Sequence, residues 1–242
     1  MLCLESQLCK QCSQGKITLV DKQKYLEKLH PTSNLPDLQD CEFVIEAVPE
    51  VESLKTDIFK KLSGILHTDQ AILATNTSSI SITKLASTYA NPANFVGMHF
   101  MNPVPVMKLV ELISGKQTSP TTLEATKSLA DSMGKSSTVS ADVPGFIVNR
   151  MLMPYINEAI FALYEGVATK EDIDKSMVLG TNVPMGPLKL ADFVGLDTCL
   201  YIMKVMHSEF GDSKYRPCPL LVQMVNAGYH GKKNGTGFYD YK

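Results

Sequence analysis

Long apolar runs, a secretion signal and an excess of one charge are all missing from this sequence of 242 residues. No apolar run approaches the roughly 20 residues that a transmembrane helix needs. The formal net charge of -2 gives no electrostatic case for a nucleic acid or an anionic membrane as partner. The chain shows neither a basic segment followed by an apolar one at its start nor a peroxisomal SKL signal at its end. These absences favour a soluble intracellular protein, with cytosol, mitochondrion and peroxisome left open.

The sequence has six cysteines, and their spacing indicates neither a disulfide framework nor a metal site. Cys9 and Cys12 have C-x-x-C spacing, but they lie in a polar stretch without a second pair or a histidine cluster. The remaining cysteines are scattered: Cys3, Cys41, Cys199 and Cys218. We therefore expect no bound metal, and free thiols as in a reducing compartment.

Hydrophobic periodicity divides the chain into two parts. Over residues 1–143, short apolar runs alternate with amphipathic stretches, including a helix predicted over 52–66. This alternation predicts a mainly parallel sheet covered by helices. Over residues 144–242 the pattern predicts helices alone, with long ones over 146–167 and 186–210. The fold class that we expect is α/β followed by all-α.

A histidine and a carboxylate lie on two adjacent predicted strands. His99 lies near the end of FVGMHF and Glu111 lies within KLVELI, with the turn MNPVP between them. Imidazole exchanges protons near neutral pH, and a fixed carboxylate stabilises the imidazolium that forms. The pair therefore suits a general base and its orienting partner. The alternative is a core histidine and an unrelated, solvent-facing strand acid.

Seven segments, in family order, resemble the 3-hydroxyacyl-CoA dehydrogenases, and most closely their short 3-hydroxybutyryl-CoA dehydrogenase type. The segments are VIEAVPE, ILATNTSSISIT, GMHFMNPVPVMKLVELI, DVPGFIVNRMLMPYINEA, GVATKEDID, PMGPLKLADFVGLD and GTGFYDY. The resemblance implies a Rossmann-type NAD-binding domain followed by a helical domain that forms a homodimer. It also implies oxidation of a (3S)-3-hydroxyacyl-CoA, such as 3-hydroxybutanoyl-CoA, to the 3-oxoacyl-CoA with NAD or NADP.

The resemblance further implies roles for eight residues. The catalytic base and its partner fall on His99 and Glu111, and substrate-side hydrogen-bond donors fall on Ser78 and Asn149. The cofactor contacts fall on Ala47, Glu50, Lys55 and Asn76.

Simpler explanations exist for four of these residues. Ser78 could cap the helix that follows TNTSS, and Asn149 could bond a turn carbonyl near a helix start. Glu50 suits the positive end of a helix dipole, and Lys55 could be a solvated surface lysine.

One part of the family pattern is missing from this sequence. A Rossmann site uses a first strand and a G-x-G-x-x-G loop, whose glycines let the backbone approach the pyrophosphate. The first glycine here is Gly15, alone in SQGK, and residues 1–14 resemble the helix that follows the second strand of the family. We therefore expect an incomplete nucleotide-binding domain, with Met1 an internal or mis-assigned start. For the chain as it stands we expect weak or absent NAD binding and very low turnover.

Two function hypotheses follow, because the predicted catalytic residues are present whereas the glycine-rich cofactor loop is not. The first is an active dehydrogenase whose remaining segment lies in the full gene. The second is a truncated, catalytically impaired module that only dimerises or binds acyl-CoA. A third hypothesis is a sister β-hydroxyacid dehydrogenase with a carboxylate substrate. It is disfavoured by the segment HFMNP with the later Glu111 and by the segment PGFIVNR. Acyl chain length and the choice between NAD and NADP stay open.

Overall fold

A five-stranded sheet forms the first half of the computed structural model, which describes residues 2–66 and 70–241, with side chains described from Glu5 onward. The strands, adjacent in sequence order, are β1 (Phe43–Glu46), β2 (Ile72–Thr75), β3 (Phe95–Phe100), β4 (Leu109–Ser114) and β5 (Ser136–Ala141). Every neighbouring pair is parallel except β3 and β4. The connection over 101–108 is short, and without a crossover helix it returns the chain antiparallel. The expected mainly parallel sheet is confirmed. The side chain of Cys3 lies outside the described residues.

Within the described residues of the first half, five α-helices and two short 3-10 helices, Leu35–Leu38 and Pro92–Asn94, connect or cover the strands. The α-helices are α1 (Leu2–Ser13), α2 (Leu19–Glu27), α3 (Glu52–Ser63), α4 (Ile82–Ala86) and α5 (Pro120–Ser132). Local sequence sets their ends: Ser119 caps α5 by accepting from the N–H of Thr122, and Gly134 follows it with a φ of 69°. The helix predicted over 52–66 ends earlier, at Ser63, because Gly64 forms its C-cap.

Apolar side chains cover both faces of the sheet. Phe95 packs in one buried cluster with Phe59 and Ile113, whereas Val96 and Met98 pack in another on the opposite face. Because alternate strand residues share a face, His99 and Glu111 lie on the face of Phe95 and Ile113. The packing of α4 on this face is close, since a Cβ atom on Gly97 would lie 2.8 Å from Ile82.

The second half of the described chain is helical, as predicted, but its boundaries differ. Its helices are α6 (Val148–Tyr164), α7 (Lys170–Thr181), α8 (Pro187–Val194), α9 (Leu196–Phe210) and α10 (Pro219–Asn226). The helix predicted over 146–167 begins later because Phe146 has a non-helical φ of 51°. The helix predicted over 186–210 is two helices, because the φ of 103° at Gly195 breaks the helical path between them.

One buried apolar cluster joins these helices into a single packed unit. It includes Ile156, Ile160, Leu196, Met203 and Leu221 from α6, α9 and α10. Within the described ranges, none of the helices combines the length and the apolar character needed to cross a bilayer.

Candidate active site

His99 and Glu111 are directly opposed residues of the antiparallel pair β3 and β4. Such residues have Cβ atoms about 4.5–5.5 Å apart, so their side chains meet when both point to one face. The Nδ1 atom of His99 lies 2.8 Å from Oε2 of Glu111. His99 is 6% exposed and Glu111 is fully buried. The expected proximity is confirmed, and the interpretation of Glu111 as a solvent-facing acid is wrong.

The second oxygen of Glu111 holds the start of helix α6. Its Oε1 atom accepts hydrogen bonds from the backbone N–H groups of Ile147 and Val148, at 2.9 and 3.0 Å. Burial opposes ionisation, but the hydrogen bonds from His99, Val148 and Ile147 outweigh it and hold the pKa of Glu111 below its ordinary value. The carboxylate is therefore ionised at neutral pH and can stabilise an imidazolium at His99.

Ser78 is within hydrogen-bond distance of the other imidazole nitrogen of His99. Its Oγ atom lies 3.0 Å from Nε2 of His99, so a serine and a glutamate hold the ring from opposite sides. The hydroxyl that caps α4 is that of Ser81, which accepts from the N–H of Lys84 at 3.2 Å. The alternative in which Ser78 serves as that cap is therefore wrong.

Glu50 fixes the loop that carries Ser78. Its Oε1 atom accepts from the hydroxyl of Thr77 at 2.5 Å and from the N–H groups of Ser78 and Ser79 at 3.0 and 3.2 Å. One carboxylate oxygen thus gathers the donors of the turn that follows β2. Glu50 therefore positions Ser78, a role that the dipole explanation alone does not describe.

Lys55 is completely buried, so its interpretation as a solvated surface lysine is wrong. Its Nζ atom lies 2.9 and 3.0 Å from the two carboxylate oxygens of Glu46, and 3.6 Å from Oε2 of Glu50. It also donates to the carbonyl oxygens of Val48 and Asn76, both at 3.4 Å. Lys55 therefore ties the ends of β1 and β2 to the start of α3.

Glu46 completes this buried group and was not among the residues predicted from sequence. It accepts a hydrogen bond from the hydroxyl of Thr75 at 2.6 Å as well as those from Lys55. The sequence signal that could have revealed it is an acid inside the otherwise apolar run FVIEAV, which predicts a buried strand. A buried carboxylate needs a charged partner, and Lys55 lies one helical turn into the next element.

Asn76 and Ala47 lie at the same edge of the sheet as Glu50. The Oδ1 atom of Asn76 accepts from the N–H of Phe100 at 3.1 Å, which joins the ends of β2 and β3. Among the described residues its side-chain nitrogen has no hydrogen-bond partner. Ala47 directly follows β1 and is exposed. Ligands of parallel sheets bind at this carboxyl edge, so these residues border an open, ligand-accessible rim.

A cleft separates this edge from helix α9. Glu50, Asn76 and Ser78 line one wall, and Asp197 and Tyr201 line the other. Ser78, which contacts Nε2 of His99, therefore lines a cleft between the sheet and the helical half.

Asn149 lies in the first turn of α6 and is 9% exposed. It directly follows Val148, whose N–H binds Glu111. The alternative hydrogen bond from its side chain to a turn carbonyl is not present among the described residues. Glu111 thus orients both His99 and the helical turn that carries Asn149.

No cluster of three or more histidine, cysteine or acidic side chains suited to a metal ion occurs in the described part of the chain.

Family profiles match both halves of the chain. Residues 3–143 match the profile described as 3-hydroxyacyl-CoA dehydrogenase, NAD binding domain, and residues 145–241 match the 3-hydroxyacyl-CoA dehydrogenase, C-terminal domain. The chain belongs to the 3-hydroxyacyl-CoA dehydrogenase family. It is an enzyme of the oxidoreductase class with an NAD-binding domain.

Relatives in this dehydrogenase family match almost the whole chain. The 3-hydroxybutyryl-CoA dehydrogenase of Bradyrhizobium diazoefficiens is 52% identical over 242 residues, which are 100% of this chain and 82% of the relative. The crystal structure of (S)-3-hydroxybutyryl-CoA dehydrogenase PaaH1 from Ralstonia eutropha has a TM-score of 0.95 at 48% identity, covering 98% of this chain and 83% of that one. The structure of FadB2 from M. tuberculosis also has a TM-score of 0.95, at 44% identity, covering 98% and 84%. The predicted fold class and family are confirmed.

Proposed function

We propose that this chain interconverts a (3S)-3-hydroxyacyl-CoA and its 3-oxoacyl-CoA, with 3-hydroxybutanoyl-CoA as the favoured substrate. The observation that carries the proposal is the position of His99, with Ser78 on Nε2 and Glu111 on Nδ1. Relatives whose printed name is 3-hydroxybutyryl-CoA dehydrogenase, at 52% identity, support the choice of substrate.

The chemistry follows from this geometry. When the C3 hydroxyl of the substrate reaches the Ser78 side of the ring, Nε2 of His99 accepts its proton while C3 gives up a hydride. The electron pair of the O–H bond becomes the second bond between C3 and its oxygen as the hydride leaves with the C–H pair, and the product is the C3 ketone. Glu111 stabilises the resulting imidazolium through Nδ1, and Ser78 donates a hydrogen bond to the C3 oxygen. In the reverse direction the imidazolium returns the proton.

NAD, when bound, supplies the hydride acceptor, and NADP is the alternative. The carboxyl edge of β1 and β2 fits this cofactor, because the side-chain nitrogen of Asn76 has no partner among the described residues and Ala47 leaves the rim open. Glu50 and Asn76 would face the cofactor from that rim. The buried ammonium of Lys55 already binds Glu46, so Lys55 would affect the cofactor indirectly. It would do so through its contacts with Glu50 and with the carbonyl oxygen of Asn76. Asn149 would provide a second polar group toward the substrate thioester.

The partners that we propose are the acyl-CoA substrate and a second copy of the chain. Homodimerisation through the C-terminal helices is supported by large apolar side chains that are exposed on these helices or in the turn between α6 and α7: Met151 at 70%, Val167 at 71% and Leu179 at 73%. A role in fatty-acid β-oxidation is consistent with such a substrate.

A second candidate function rests on one sequence observation. The chain contains no G-x-G-x-x-G segment to hold a pyrophosphate. A module that binds acyl-CoA or dimerises, with impaired catalysis, would retain the described site without efficient hydride transfer.

One assay series separates these possibilities. The purified chain is supplied with NADH or NADPH and with acetoacetyl-CoA or free acetoacetate, and loss of reduced cofactor is followed while calorimetry measures acetoacetyl-CoA binding. Because the glycine loop is missing, we expect slow but measurable oxidation of the cofactor with acetoacetyl-CoA, and none with acetoacetate. Binding of acetoacetyl-CoA without any turnover would favour the module, and turnover of free acetoacetate would contradict the acyl-CoA specificity.

A further inference from the structure

Phe146 adopts a backbone conformation that its residue type normally avoids. Its φ is 51°, in the left-handed region, where a bulky side chain is disfavoured unless the surrounding structure enforces it. Gly145, just before it, has a φ of 82°. These two residues make a sharp turn between the sheet and helix α6. The turn carries a phenylalanine where a glycine or an asparagine would be less strained.

The strained backbone directs the phenylalanine ring onto the histidine. The ring centroids of Phe146 and His99 are 5.6 Å apart and their planes are inclined by 62°, which is an edge-to-face contact. Phe146 is only 3% exposed and belongs to the apolar cluster of Phe59 and Ile113. The ring therefore packs against an imidazole whose two nitrogens are already occupied by Ser78 and Glu111.

The same turn also presents the donors that bind Glu111. The N–H groups of Ile147 and Val148, the two residues after Phe146, donate to Oε1 of Glu111. One left-handed turn thus supports the ring of His99 through a side chain and its carboxylate partner through the backbone. A left-handed residue at this position is what turns the chain so that both contacts form together.

We propose that Phe146 is a positioning residue for His99. Its ring excludes water from the imidazole and keeps the plane of His99 aligned between Ser78 and Glu111. It does not touch the reacting atoms, and its effect on turnover runs through the orientation of the imidazole. The proposal deepens the proposed function and rests on His99 as the base, but the support of the ring by Phe146 is a structural statement that can be measured without turnover.

The test compares Phe146→Leu with Phe59→Leu. Phe59 is fully buried in the same cluster and makes an edge-to-face pair with Phe95 at 5.0 Å, so its loss matches the loss of apolar packing without touching His99. Phe146→Tyr keeps a ring at the site. The first readout is the exchange with water of the Nδ1 proton of His99 in nitrogen-15 spectra, assigned by its absence in His99→Gln.

We expect this proton to exchange at least about tenfold faster in Phe146→Leu, and to be unchanged in Phe59→Leu and Phe146→Tyr, because only the first variant removes the ring from the imidazole. We expect kcat to fall about 10- to 100-fold in Phe146→Leu with KM little changed, because a catalytic group that is slightly misplaced reacts more slowly without weakening substrate binding. Equal proton exchange in the two leucine variants would overturn the proposal. A fall in kcat without faster exchange would also overturn it. If His99→Gln left turnover unchanged, the proposed function would fail instead, while the exchange result would still decide the role of Phe146.

Discussion

The Oε2 atom of Glu111 lies 2.8 Å from Nδ1 of His99, across a directly opposed pair of antiparallel strands. The other oxygen of Glu111 holds the N-terminus of α6. One carboxylate thus fixes the imidazole and joins the sheet to the helical half. We expect substitutions at this position to affect catalysis and stability together.

Replacing Glu111 with glutamine should lower turnover by about 10²- to 10⁴-fold, because the imidazolium loses its fixed negative partner. The rate of acetoacetyl-CoA reduction by NADH measures this effect. Glu52→Gln, on the exposed surface of α3, is the matched control and should change little. An active Glu111→Gln enzyme would show that the carboxylate is dispensable.

The stability of the protein should depend on the ionisation of Glu111. Its pKa is lowered in the folded chain, from an ordinary value of 4.5. The stabilisation is therefore fully present above the ordinary value and is lost as the pH falls through the folded pKa. Urea unfolding across this range should show Glu111→Gln less stable than the native chain near neutral pH, with the difference shrinking at acid pH. A difference that is constant with pH would contradict this prediction.

Removing the hydroxyl of Ser78 should reduce turnover about 10²-fold, the effect of losing one preorganised donor near a developing charge. The fold should tolerate Ser78→Ala, because Ser81 rather than Ser78 caps α4. The measurement is kcat beside the unfolding midpoint in urea. Ser132→Ala, exposed at the end of α5, is the control. Loss of stability rather than of kcat would indicate a structural role for Ser78.

The buried pair of Lys55 and Glu46 should behave unlike a surface ion pair. Lys55→Met leaves the carboxylate of Glu46 without its cation, which should cost about 3–5 kcal/mol of unfolding free energy. Adding Glu46→Gln should restore part of that loss, because the unpaired charge disappears. Lys84→Ala, which breaks the exposed pair with Glu52, should show little change. Similar losses in Lys55→Met and Lys84→Ala would contradict the buried role.

Glu50 should influence turnover through the loop of Ser78. Glu50→Ala removes the acceptor of the Ser78 and Ser79 N–H groups, so we expect kcat to fall about 10- to 100-fold as the loop shifts. Glu50→Gln keeps one carbonyl oxygen as acceptor and should lose less. If the two variants lost the same activity, the charge of Glu50 would matter rather than its hold on the loop.

The sequence correctly predicted those features of the fold and the site that depend on local residue patterns and on the order of elements along the chain. Alternating strands and helices predicted the sheet, and the short turn between two β-like runs predicted that His99 and Glu111 would be neighbours. The break at Gly195 was missed because apolar spacing continues across it and only the backbone torsion reveals the end of α8. The burial of Lys55 was missed because it depends on Glu46, a partner nine residues earlier and on a different element. The strained turn at Phe146 is set by tertiary contacts and has no signal in propensity.

The measurement that tests the central claim most directly is the rate of acetoacetyl-CoA reduction by NADH in the native chain and in His99→Gln. His207→Gln, near the exposed end of α9, is the control, and calorimetry follows acetoacetyl-CoA binding in all three proteins. The comparison is a ratio of rates, so it holds at any measurable rate of the native chain, however slow. We predict that His99→Gln loses turnover by orders of magnitude while still binding acetoacetyl-CoA, and that His207→Gln does not. Equal rates in the native chain and in His99→Gln would contradict the account.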